Sequence, residues 1–184
     1  KRLIEAGVDV DRAMKEARGG RDKPAPNTSP LLLAMENGQF ELAAVLLAAG
    51  ANPNDDRTGF APLHAMSWIR KPERGDNETG TPPPRGSGKL TSRDFVRVLL
   101  EHGADPNVQR NENIAPVLLG VCSNVECMRL MLQAGADANL ASEHNGETAL
   151  HGVAGGSDTQ SVGLLLDHLE ELAKQEAPLA MSQK

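Results

Sequence analysis

The chain has 184 residues, a formal net charge of −6, and very few aromatics: three Phe, one Trp and no Tyr. That length suits one domain with a single stacked core, which must be aliphatic, and the acidic balance argues against broad affinity for nucleic acid or an anionic membrane surface. No apolar run approaches a membrane span, and the two cysteines, Cys122 and Cys127, form no disulfide framework and read as small buried hydrophobes.

Residues 1–10 include Leu3-Ile4-Glu5-Ala6-Gly7-Val8-Asp9-Val10, which has the form of a helix end with a glycine stop. The helix that would pair with it is missing, so the expectation is the remnant of a truncated repeat, in a fragment of a longer protein whose compartment stays open. Residues 11–26 form a connector about ten residues longer than a regular unit needs. Within it Ala13 to Arg18 predicts one or two helical turns, broken by Gly19-Gly20 and the prolines.

Residues 27–56 are the first full unit. Ser29-Pro30 opens a helix, because proline suits a first turn whose N–H has no partner. Leu31, Leu32, Leu33 and Met35 fill it, and Asn37-Gly38 ends it. Phe40, Leu42, Val45, Leu46 and Leu47 recur at helical spacing in a second helix, which Gly50 stops. Neither helix is long enough to be stable alone in water, so the unit has to stack on copies of itself.

The copies follow. Residues 57–109 open at Ala61-Pro62-Leu63-His64, with a first helix to about Ile69. An insertion of about 70–90, rich in proline and glycine and without apolar period, comes next. Thr91 is placed to cap the restarted second helix, which ends at Gly103. Residues 110–143 repeat the pattern with Ala115-Pro116-Val117-Leu118 and a stop at Gly135, and residues 144–172 open at Thr148-Ala149-Leu150-His151. The last second helix, Ser161 to about Ala173, runs past the place of the glycine stop, as a capping helix would, and 173–184 reads as a frayed tail. Pro30 and Pro62 are 32 residues apart, as are Gly103 and Gly135, and Pro116 and Ala149 are 33 apart.

This pattern resembles the ankyrin repeat, a β-turn plus two antiparallel helices with a T-P-L-H opening and a period near 33. With its long insertions between L-L-x-x-G-A-D-x-N endings, the chain looks similar to uncharacterised bacterial ankyrin-repeat proteins. The resemblance implies an all-α solenoid of stacked helix-turn-helix units with β-turn fingers. It implies that His151 bonds the Thr148 hydroxyl and nearby backbone, and that the same link is impaired at His64, where Ala61 replaces the hydroxyl. It also implies a concave recognition surface made of finger tips and the exposed side of the first helices. Carried over by position, that surface includes Arg57 and Phe60, Arg110 and Glu112 on fingers, and Glu36, Asn37, Trp68 and Ile69 on helices. Phe60, Trp68 and Ile69 put large apolar side chains where the family is usually exposed, next to the insertion. From Arg70 to Arg93 six basic residues face three acidic ones, so Arg70 begins a basic loop on an acidic scaffold that could steer an acidic partner.

Chemistry finds little support. No Cys, His or carboxylate cluster has metal-ligand spacing, and no Ser has the glycines of a nucleophile elbow. Gly86-Ser87-Gly88-Lys89 ends like a phosphate loop, but Pro83 stands where the first glycine belongs and Leu90 where a hydroxyl should bind magnesium. The expected function is therefore a non-catalytic protein-protein interaction module with a protein partner and no cofactor, nucleic acid, membrane or small-molecule substrate. The alternative is a regulatory or inhibitory segment of a larger enzyme.

Overall fold

Several helices start where a side chain or a proline tolerates unpaired amides, and three second helices stop where glycine takes the required turn. The computed structural model describes residues 7–15, 26–66, 88–109, 125–143, 145–155 and 159–181, with side chains of the last helix to Lys174. In these residues the helices are α1 (Pro30–Glu36), α2 (Phe40–Ala48), α3 (Pro62–Ala65), α4 (Ser92–Glu101), α5 (Val125–Gln133), α6 (Ala149–Ala154) and α7 (Thr159–Met181). No strand occurs among them. Ser29 caps α1, its Oγ accepting from the Leu32 amide at 3.2 Å. Thr91 and Asp94 cap α4 reciprocally. Gly50, Gly103 and Gly135 end α2, α4 and α5 with φ of +93°, +88° and +89°, a backbone that a Cβ resists.

The helices form two rows. The first helices α1 and α3 pack side by side, and the second helices α2, α4, α5 and α7 form the other row. Within a unit α1 lies on α2, α3 on α4 and α6 on α7. The register is read from the glycine stops. Ala43, Val96 and Met128 each stand seven residues before one, and all three are buried. The Phe40 and Phe95 rings stack between α2 and α4 with centroids 4.9 Å apart and planes 6° from parallel. Leu31, Leu63, Leu99 and Leu165 are wholly buried, each stabilising the stack by roughly 1.5–3 kcal/mol relative to exposure.

The turns after the second helices repeat to the atom. Asp9, Asn52, Asp105 and Asp137 each accept, through Oδ1, the amide of the residue two further on, at 2.8–3.0 Å. That further residue bridges to the next turn. Asn54 Nδ2 donates to the Gly103 carbonyl and Asn54 Oδ1 accepts from the Asp105 amide, both at 2.8 Å. Asn107 does the same to the Gly135 carbonyl at 2.9 Å and the Asp137 amide at 2.7 Å. Asp11 makes only the acceptor half, to the Asn52 amide at 2.9 Å, because a carboxylate has no N–H to give. Successive turns are bridged although Gly7, Gly50, Gly103 and Gly135 are unevenly spaced in the sequence.

Two expectations change. Residues 12–15 are not helical: the Met14 amide donates to the Thr28 carbonyl at 3.1 Å, and the Asn27 amide to the Met14 carbonyl at 2.9 Å. In the last unit the Ser142 amide closes its finger on the Glu147 carbonyl at 2.7 Å in the same way. Residues 12–15 thus serve finger closure, which outcompetes a short helix there, and residues 16–18 of the expected turns lie outside the described residues. The last helix also continues to Met181, beyond the expected end at Ala173, so much of the supposed tail has helical backbone.

Candidate interaction surface

The finger over residues 55–60 is held by charge. Asp55 is buried, and Arg57 grips it with Nε at 2.6 Å and a terminal nitrogen at 2.8 Å, a bidentate pair. The same guanidinium donates to the Asp11 carbonyl at 2.7 Å, tying this finger to the preceding turn. Burial alone would raise the Asp55 carboxyl, but hydrogen bonds from Arg57 and from the Ser29 hydroxyl outweigh it and hold the group below its ordinary value. Ser29 also caps α1, so finger and first helix form one polar chain.

Of the candidate residues, Arg57 is thus partly occupied inside the fold, its side chain 43% exposed. Phe60 is half-buried and packs against the core, where a free anchor would stand clear of it. Glu36 and Asn37 are exposed at the far end of α1, where the Asn37 amide bonds the Leu33 carbonyl at 2.8 Å and partial desolvation raises the Glu36 carboxyl. These described candidates therefore stand at opposite ends of the first helices. Trp68, Ile69, Arg70, Arg110 and Glu112 lie outside the described residues, as do Cys122 and residues 67–87, which hold most of the insertion. Cys127 is buried, as its reading as a small hydrophobe requires.

The two opening histidines hold turn to helix. His151 Nδ1 takes the Thr148 amide at 3.2 Å and lies 2.9 Å from the Thr148 hydroxyl. His64 Nδ1 takes the Ala61 amide at 3.2 Å. The amide half of the link needs no hydroxyl, so Ala61 costs the second unit only the other half.

The histidine opening appears in two units, the asparagine bridge joins two pairs of turns, and the two helical rows hold them together. A family model, "Ankyrin repeat", matches residues 27–57. An ankyrin repeat-containing protein of Treponema pallidum (strain Nichols) is 30% identical over 122 residues, 65% of this chain and 30% of that protein. The chain carries an ankyrin repeat. It is also similar to the B-cell lymphoma 3 protein homolog of Mus musculus, 29% identical over 118 residues, which are 64% of this chain and 20% of that one. The 2-5A-dependent ribonuclease of Homo sapiens is 28% identical over 102 residues, 54% of this chain and 11% of that enzyme. The chain therefore spans less than a third of each of these relatives.

Sequence reasoning missed two features of this ankyrin stack. The asparagine bridges had a signal, the recurring Asn at the end of G-A-D-x-N, but no single unit shows what that side chain touches. Glu41 had none. Its Oε1 accepts the Lys89 amide and, at 2.8 Å, the Leu90 amide, fastening the end of the insertion to α2. Gly88 beside it has φ +80°, a backbone that L side chains rarely adopt, and a Cβ there would displace the Glu41 carboxylate. Among the described residues no group of three or more His, Cys, Asp or Glu could hold a metal ion, and no helix is long and apolar enough to cross a membrane.

Proposed function

We propose that the chain is a non-catalytic protein-interaction module that uses its finger tips and first helices. One observation carries the reading. The stack is joined along both helical rows and through the asparagine-bridged turns, and polar side chains stay exposed beyond these contacts: Glu36 on α1 and Asn37 at its C-cap, Asp56, Glu143, Asn145 and Glu147 on fingers. Ankyrin repeats generally serve as protein-interaction modules, which agrees. By the period of 32 residues, Trp68 and Ile69 take the positions of Glu36 and Asn37 in the next unit, so an aromatic anchor would sit on the same side. Arg70, Arg110 and Glu112 extend that surface with charge.

The test places a photo-crosslinking residue at Glu36, Trp68 or Glu112, with Leu42, exposed on the second row, as the control. Crosslinks to a partner from the first three sites and not from Leu42 are expected. Crosslinking only from Leu42 would sink the reading. A second reading, a regulatory segment of a larger enzyme, is favoured by the likeness to a relative that is a ribonuclease by name. A catalytic domain elsewhere in the same gene product would decide for it.

A further inference from the structure

The asparagine bridges end at Asn139. Asn54 and Asn107 are half-buried under the turn that follows each of them, and Asn139 is exposed. Its own amide is fixed by Asp137 Oδ1 at 2.8 Å, as in the earlier turns, so its backbone is set for a further bridge. The side-chain amide has no partner among the described residues. The reason lies in α7, which runs straight past the point where α2, α4 and α5 stop at glycine and turn back. Beside Asn139 this leaves a cleft of about 510 Å³, lined by Leu132, Ala136, His168, Leu169 and Leu172 among others.

The completed bridges say what fits. Each asparagine takes a carbonyl and, two residues on, an amide N–H from one segment. The residue between them is a small buried apolar one, Ala104 or Ala136 at 5% and 4% exposure. We infer that Asn139 and the adjoining cleft form a docking site for an exposed backbone segment of a partner protein, one that offers a carbonyl, a small apolar residue and then an amide N–H, as the Gly-Ala-Asp turns do. This site is at the edge of the stack, away from the first helices, and stands or falls apart from the surface proposed above.

The probe is a fluorescent synthetic peptide with the sequence of residues 130–140, titrated against the full chain. Saturable binding is expected in the micromolar to millimolar range. Asn139→Ala, which removes both bonds at an exposed position, should weaken it about tenfold, and Asn139→Asp, which keeps the acceptor, by less. The same peptide carrying Asp137→Pro lacks the N–H and should not bind; one carrying Ala136→Leu should bind poorly. Circular dichroism and the melting temperature verify that the Asn139 variants fold. No binding at millimolar peptide to folded parent protein overturns the proposal, as does binding that Asn139→Ala leaves unchanged. Slow hydrogen exchange at the Asn139 side-chain amide of the free protein would also overturn it, because the site would then be covered already.

Discussion

Asp11 is the one bridging residue that is not asparagine, and the difference is a single donor group. Its Oδ1 holds the Asn52 amide, but it cannot reach the Gly50 carbonyl with an N–H as Asn54 and Asn107 reach theirs. Asp11→Asn should therefore stabilise the protein by about 0.5–1 kcal/mol, seen as a higher urea midpoint. An unchanged or lower midpoint would mean that the first turns are not joined as the later ones are. Burial separates two leucines that the repeat pattern treats alike. Leu99 is wholly buried, whereas Leu46 is half-buried against the core. Leu99→Ala should cost about 2–4 kcal/mol and Leu46→Ala clearly less. Equal losses in denaturant melts would show that the register of α2 is misplaced.

The short helices depend on their ends, because each has few internal hydrogen bonds to lose. In α4 the Thr91 hydroxyl accepts the Asp94 amide at 3.1 Å, and Asp94 Oδ2 takes the Thr91 hydroxyl at 2.7 Å. Thr91→Ala should cost about 1 kcal/mol, measured by thermal melts at constant pH. The finger at residues 55–60 and this cap also make stability depend on pH. The Thr91 hydroxyl and amide hold Asp94 below the usual carboxylate range, and Asp55 is held there too, by Arg57 and Ser29 against the effect of burial. Both groups bind a proton less readily folded than unfolded. Their contribution is therefore present above the unfolded carboxylate value of about 4 and is lost as pH falls through the lower folded values. The stability gap between the parent and Asp55→Asn should be largest at neutral pH and shrink below about pH 4. A gap that stays constant down to pH 2 would mean that folding does not lower the Asp55 carboxyl.

At the scale of the whole molecule, the insertions lie where the stack can bear them. In sequence, one falls between Met14 and Asn27, which pair through their backbone, and the other between the two helices of the second unit. Neither interrupts the bridged turns, and each doubling of loop length costs only about 0.6 kcal/mol of closure entropy. Replacing residues 71–87 by a short Gly/Ser link, with Gly88, Lys89 and Leu90 kept for their contact with Glu41, should leave the helical circular dichroism and unfolding midpoint nearly intact. If the second unit unfolds instead, that segment covers Phe60 and its neighbours and belongs to the core.

The helices, their glycine stops and the pairing of units were legible in the sequence, because apolar spacing and turn chemistry act over a few residues and recur. Leu31, Leu63 and Leu99 fell in the core because the pattern repeats them and a short helix has nowhere else to bury them. Phe60 was legible only as a large side chain on a finger; that it leans on the core depends on helices distant in sequence. The Glu41 contact joins residues 48 apart, and the Asn54 bridge joins residues 49 and 51 apart. Such contacts exist only once the units stack, so tertiary structure alone decided them. That α7 runs past the place of a glycine stop was legible, since no glycine stands there to turn the chain back; its reach to Met181, beyond Ala173, was decided only in the folded chain, where Leu164, Leu165 and Leu169 pack on the core.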